Sequence, residues 1–341
     1  MKAAIFDRPG RLLQIETVAD PTPGPTEVVV KVDRCGICGS DLHITEGHGY
    51  TVPSGTILGH EFTGEIVALG AGVEHLFVGE RIAAMPIIGC GRCRYCLADT
   101  PAWCTSIAYT FGGYAEYARA SSVTAIPLPA SLSSGDAALA EPLAVALHGI
   151  AAAELRPGAR VLIQGAGPIG LCALFWAKRL GAGRVDVVEG VEARAAIARQ
   201  MGADSVAPPA MSEPSMQVAF DPQAPQIVVE CVGRAGLLSQ AVDRVAPRGT
   251  VISLGFCLQP DALIPAYACN KEVKMVFPRL YSRAEFEFAI EVLDKGAVEP
   301  RAMVTSVIGL GELPEKFESL RRSPADCKVL LDPRQDRGAA H

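Results

Sequence analysis

Cys90, Cys93, Cys96 and Cys104 bring four thiols into fifteen residues, interleaved with Gly91 and Arg92 and preceded by Gly89. Four thiolates from one short lobe close a tetrahedral shell around zinc and leave no position for a substrate. Such a site holds a loop together rather than doing chemistry. An iron–sulfur cluster or unrelated buried thiols are the alternatives that spacing leaves open.

A second set of residues is more dispersed. Cys38-Gly39-Ser40-Asp41-Leu42-His43 is followed by Gly59-His60-Glu61, and Glu141-Pro142 comes much later. A thiolate, an imidazole and one or two carboxylates make a workable zinc set with one position open for water or substrate. Taken singly, these residues read as a core thiol, a satisfied histidine and a helix-capping glutamate. Their joint appearance beside a third motif favours the metal.

That motif is Gly165-Ala166-Gly167-Pro168-Ile169-Gly170, after a strand-like run and at the start of a helical one. Glycines there allow a tight turn and a close backbone approach to a pyrophosphate, which the helix-start amides then face. Glu189 closes the next strand, 19 residues after Gly170. A carboxylate at that place accepts hydrogen bonds from the ribose hydroxyls and repels a 2′-phosphate, which favours NAD over NADP. Arg194 pulls the other way, since a guanidinium beside the ribose accommodates a phosphate.

The elements that position these groups fall into two textures. Up to about residue 130 the chain reads as short strands broken by Gly and Pro, such as 27–32 and 65–69, an irregular β domain. After about 145, strands alternate with Ala-rich helices. Strands are predicted at 160–164, 185–189, 226–230 and 249–255, with helices at 171–180, 192–201 and 237–245. Units of this length build a parallel sheet covered by helices on both faces. Pro208 to Pro225 reads as an exposed loop. A helix at 284–295 and a strand at 328–331 form a tail expected to rejoin the first domain. The expected division is 1–144 with 279–341, carrying a zinc lobe at about 88–106, and 145–278.

The chain has 341 residues, enough for two domains. Its 31 basic and 37 acidic side chains form no basic cluster, which argues against a nucleic-acid partner. The amino terminus lacks a signal-peptide core, and the most apolar stretch, 137–153, carries Glu141, Pro142 and His148 and is too short to span a bilayer. A cytoplasmic protein without a membrane partner is expected. Its 11 cysteines then call for metal rather than disulfides.

Cys35-Gly36-Ile37-Cys38-Gly39-Ser40-Asp41-Leu42-His43, Gly59-His60-Glu61, the four-cysteine lobe, Glu141-Pro142-Leu143 and the glycine turn together resemble the zinc-dependent medium-chain dehydrogenases, collinearly from residue 1 to about 331. Glu141-Pro142-Leu143 resembles the polyol (sorbitol-like) and threonine dehydrogenase branch, because simple alcohol dehydrogenases usually have a cysteine at that place. The resemblance implies an α/β fold, with a GroES-like irregular β catalytic domain and a Rossmann doubly wound parallel-sheet cofactor domain. It implies Cys38, His60 and Glu61 as catalytic zinc ligands, with Glu141 as a further or exchanging ligand, and the four lobe cysteines on a structural zinc, two zinc ions per chain.

By the same resemblance Ser40 takes the alcohol proton, His43 is the outer member of that relay, and Asp41 orients His60. Cys35 is a packing residue. Cofactor contacts are implied at Gly165, Gly167, Pro168, Ile169, Gly170, Glu189 and Arg194, at Cys231, Val232, Leu254 and Gly255 after later strands, and at Lys328 near the pyrophosphate. Gly39 replaces a basic residue of the simple alcohol dehydrogenases and removes one pyrophosphate contact. Tyr50, Tyr109, Phe111 and Arg279 border the cleft in this family. His48 and His75 have no spacing partner and read as exposed histidines.

The implied reaction moves hydride between a secondary alcohol and NAD, giving a ketone, with zinc as Lewis acid and Ser40 and His43 conducting the proton to solvent. Three negative charges on Cys38, Glu61 and Glu141 exceed the two on zinc, so one glutamate binds part of the time or through water. Oxygen-rich ligation fits a polyol. L-Threonine and simple or aromatic alcohols are the alternative substrates. An inactive binding protein on the same fold would lack the ligands, and a zinc-free reductase would lack the lobe as well. The family forms homo-oligomers, and the polyol branch favours a tetramer over a dimer.

Overall fold

The computed structural model describes residues 1–209, 221–322 and 325–335. Most of the stretch 208–225, expected as a loop, lies outside the described residues. The chain divides into two compact units. The first comprises Met1–Glu141, Ser282–Val298 and the chain from Val304 on, and the second Pro142–Tyr281 with Glu299–Met303. Compared with the expected division, the short helical segment Glu299–Met303 joins the second unit although its sequence neighbours belong to the first.

In the first unit the strand Glu27–Gly36 is the organising element. It pairs antiparallel with Glu61–Leu69 and with Tyr117–Ser121. The tail strand Lys328–Leu331 joins it with Leu330 opposite Gly36 and Leu331 opposite Cys35, and runs parallel to Val304–Ile308. The tail strand lies in the first unit. Val28, Val30, Val32, Ile66, Ile82, Phe62 and Val329 fill its core. β-Branched residues on a half-buried pleat favour these strands.

The second unit is a six-stranded parallel sheet in the spatial order 205–207, 184–188, 160–164, 227–230, 250–253, 274–276. The strand order reverses at 160–164, the switch point where doubly wound sheets bind nucleotides. Helices Pro168–Arg179, Glu192–Gln200 and Leu237–Arg244 connect the strands. Pro168 stands in the first turn, where its missing N–H costs nothing. Trp176 anchors that helix, fully buried with its indole N–H on the Leu143 carbonyl at 2.8 Å. Among the described residues no helix is long and apolar enough to cross a membrane.

Candidate active site and metal centres

Strand Glu27–Gly36 delivers the chain to Cys38, which caps the helix Gly39–Glu46. Ser40 and His43 lie on that helix, Ser40 half-buried and the His43 side chain 38% exposed. His60 and Glu61 stand where the chain enters the neighbouring strand Glu61–Leu69. The register of these two strands sets Gly36 opposite Glu61 and so draws Cys38, His60 and Glu61 together. One ligand atom from each of the three lies within 4.8 Å of the others. A β-carbon on Gly36 would stand 1.9 Å from Glu61 Oε2, so any larger residue there would displace that carboxylate.

Behind His60 lies a fully buried carboxylate. Asp41 Oδ1 is 3.3 Å from His60 Nδ1, an ion-pair distance, although neither atom completes a hydrogen bond of normal alignment. Asp41 Oδ2 accepts from the Tyr114 hydroxyl at 2.6 Å and from the Cys38 N–H at 3.3 Å. Burial works against a charged His60 ring, but Asp41 and then Cys38 outweigh it and hold the imidazole well above its ordinary pKa. A more basic ring is a better metal ligand. Burial and Asp41 raise the Tyr114 phenol, which therefore stays a neutral donor. Sequence reasoning missed Tyr114, an isolated tyrosine with no spacing signal. Phe111 packs edge-on against the His60 ring, with centroids 6.1 Å apart. Cys35 is fully buried in the core and its thiol is pushed up by burial, as suits a packing residue.

Lys328 departs from the expected pyrophosphate contact. Its side chain is buried, and Nζ donates to Glu61 Oε1 at 2.9 Å, to Glu61 Oε2 at 2.7 Å and to the Ile37 carbonyl at 3.1 Å. An ammonium has three hydrogens, and all three are engaged, so none is left for a phosphate. Burial disfavours this charge, but Glu61 first, with Cys38 and Glu141, raises the Lys328 pKa well above its usual value. Glu141, in the first turn of the helix Ala140–Ala152, is 6% exposed. It lies outside the three-residue donor group but close enough to act on Lys328.

The four cysteines of the lobe form a second donor group, with sulfur atoms mutually within 4.8 Å. Cys93 caps the short helix Arg94–Leu97 and accepts from the Cys96 N–H, while Cys104 accepts from Cys90 N–H and Ser106 N–H. Backbone N–H groups of Arg92 and Cys93 lower the Cys90 thiol to about 6, whereas burial and its neighbour Cys93 raise Cys96 to about 11. Crowded thiols that cannot all ionise together are what a dication relieves. Both donor sets fit zinc.

His48 is exposed as expected, but it does have partners. It joins His43 and Glu46 in a third donor group. His75 stays exposed and meets the Ser122 carbonyl at 3.0 Å. Tyr50 and Tyr109 pack together with ring centroids 6.0 Å apart, while Arg279 is half-buried in the second unit.

In the second unit Gly165 bends the chain at φ 94°, and a β-carbon on Gly170 would stand 1.9 Å from the Gly165 carbonyl. Gly167, Pro168, Ile169 and Gly170 thus lie in the tight turn and at the helix start, where dinucleotide phosphates sit. Glu189, one residue past its strand, accepts from Ala166 N–H at 2.7 Å and Val191 N–H at 2.8 Å. Arg194 reaches the same turn, its Nη1 4.0 Å from a β-carbon built on Gly167. Val232 packs over Gly165, and Cys231 donates its N–H to the Gln164 carbonyl. Leu254 and Gly255 both donate their N–H to the Glu230 carbonyl. The buried Glu230 carboxylate accepts from Val232 N–H and Gly233 N–H and fixes the loop that follows its own strand. It too was missed, since a strand-end acid gives no sign that it points inward.

Residues 24–130 match the alcohol dehydrogenase GroES-like domain, and residues 168–295 match the zinc-binding dehydrogenase family. Sorbitol dehydrogenase of Bacillus subtilis is 31% identical, with 98% of this chain and 97% of that protein covered. An alcohol dehydrogenase (rspB) of Escherichia coli CFT073, crystallised with NADH, superposes with a TM-score of 0.89 at 30% identity, covering 97% of this chain and 99% of that one. A zinc-binding dehydrogenase of Sinorhizobium meliloti 1021 bound to NADP gives 0.88 at 30% identity, covering 97% and 99%. Two family matches in chain order, on a GroES-like unit holding the Cys38–His60–Glu61 donors and a doubly wound unit holding the glycine turn, lead to one assignment: the chain belongs to the zinc-dependent alcohol dehydrogenase family, oxidoreductases acting on CH–OH donors.

Proposed function

We propose that this enzyme oxidises a secondary alcohol of a polyol or sugar-like substrate to the ketone, with NAD as hydride acceptor. The observation that carries the proposal is the convergence of Cys38, His60 and Glu61 with the oxygen-rich surroundings supplied by Glu141. These residues would hold the catalytic zinc, with Glu61 and Glu141 binding together or in turn, and the lobe cysteines would hold a second. Zinc supplies a Lewis acid that lowers the pKa of a bound alcohol. Ser40 then accepts the alcohol proton, and His43, its side chain open to solvent, passes it outward. Asp41 and Tyr114 keep the His60 ring in one orientation. A harder, oxygen-rich ligand set suits two neighbouring substrate oxygens better than one.

Glu189 supports NAD over NADP, because a fixed carboxylate beside the ribose repels a 2′-phosphate. We further propose a cytoplasmic homotetramer, on the resemblance to the polyol branch. The deciding experiment follows NAD reduction across sorbitol and other polyols, aldoses, L-threonine, and primary, secondary and aromatic alcohols. Turnover strongest with vicinal diols or sugars is the expected result. Stronger turnover of L-threonine or of monohydroxy alcohols would overturn the substrate class while keeping the dehydrogenase.

A further inference from the structure

The helix Gly39–Glu46 ends on Gly47, which is left-handed at φ 81°. Gly47 N–H bonds to the Ile44 carbonyl and His48 N–H to the His43 carbonyl at 2.8 Å. This closing turn folds His48 back beside the last helical turn. Glu46 Oε2 then lies 3.9 Å from His43 Nδ1 and 3.5 Å from His48 Nδ1. The other oxygen, Oε1, stands at ion-pair distance from Arg321 Nε, 3.2 Å without an aligned hydrogen bond, and Arg321 is itself fastened to Glu318 and Thr45. Glu46 is thereby held with one oxygen turned to the two imidazoles.

We propose that His43, Glu46 and His48 form a further metal site, for a divalent transition-metal ion of the zinc, nickel or copper type. Two ligands at about 2.1 Å from a tetrahedral ion stand about 3.4 Å apart, close to the separations seen before any ion draws the groups in. Two imidazole nitrogens with one carboxylate select such borderline metals over magnesium or calcium, which favour all-oxygen shells. The carbonyl end of the helix adds negative potential. The side chains are 38%, 37% and 63% exposed for His43, Glu46 and His48, so water can complete the shell. An ion here holds His43, the outer group of the proposed proton relay, and slows turnover. That consequence rests on the proposed function, whereas the binding site does not.

The test titrates Ni2+ into tag-free, zinc-loaded protein by calorimetry and compares wild type with His48→Gln. His48 lies outside the catalytic machinery, so basal turnover of the variant is expected to be unchanged. Wild type is expected to bind one more Ni2+ per chain than the variant, or to bind it at least tenfold more tightly. Equal Ni2+ binding by the two proteins would overturn the site. Turnover measured against rising Ni2+ should fall in wild type and hold in His48→Gln. Binding that depends on His48 while turnover ignores Ni2+ would keep the site and overturn the relay role of His43.

Discussion

Lys328 grips both carboxylate oxygens of Glu61, at 2.9 and 2.7 Å, from the far end of the chain and with both side chains buried. The pair changes the charge balance of the proposed zinc site. Cys38, Glu61 and Glu141 carry three negative charges, and the ammonium together with a zinc ion carries three positive ones. In the proposed zinc site Lys328 would offset one of these charges, and it would compete with the metal for Glu61. Such competition would favour the proposed exchange of Glu61 with Glu141.

Replacing Lys328 by Met leaves the Glu61 charge buried without a partner. Loss of one member of a buried pair costs about 3–5 kcal/mol. Urea unfolding of chelator-treated protein should show this loss, and added zinc should recover part of it, since Glu61 then finds another cation. A variant as stable as wild type would mean the pair contributes nothing net.

Tyr114→Phe removes the 2.6 Å bond that holds Asp41, and Asp41→Asn removes the charge beside His60. Outer-shell losses of this kind typically weaken metal binding by about 10–100-fold. Competition with a chromophoric chelator should place Asp41→Asn at the upper end of that range and Tyr114→Phe at the lower end, with the lobe metal unaffected.

In chelator-treated protein the lobe thiols should differ in reactivity. The thiolate is the nucleophile, and Cys90 ionises at about 6 while Cys96 ionises at about 11. Between these values Cys90 is charged and Cys96 is not. Brief alkylation at pH 7, read by peptide mass spectrometry, should modify Cys90 first, and zinc should protect it. Cys104→Ser should lower the zinc content by one ion per chain by elemental analysis.

Glu189→Ser removes the carboxylate proposed to face the ribose but keeps Arg194 at the turn. The ratio of kcat/KM for NAD to that for NADP should fall by about tenfold or more, the equivalent of roughly 1.4 kcal/mol. An unchanged ratio would remove Glu189 from cofactor selection.

Ser40→Ala should lower kcat by about 100-fold or more, a usual contribution of a positioned proton acceptor. His43→Gln should cost less, and added imidazole buffer should restore part of the rate. A Ser40→Ala enzyme as fast as wild type would refute the relay.

Local geometry was legible in the sequence. The strand 160–164 and the tail strand 328–331 fall at their predicted residues, and the helices at 168, 192, 237 and 283 begin within three residues of the predicted starts. The lobe cysteines and the glycine turn are equally local, because a turn or a short helix of a few residues sets the distances between their groups. Pairings between distant elements were not legible. Glu61 and Lys328 are 267 positions apart, and Asp41 and Tyr114 are 73 apart. Lys328–Leu331 is buried at every residue, so no alternation marks which face its lysine takes. Only the register that sets Leu330 opposite Gly36, on a strand that also sets Gly36 opposite Glu61, turns that lysine from the expected phosphate toward the proposed metal ligand. The sequence by itself determined which donors exist and which of them are neighbours along the chain. Tertiary structure decided their partners, because strand register depends on how the whole sheet packs rather than on either strand alone.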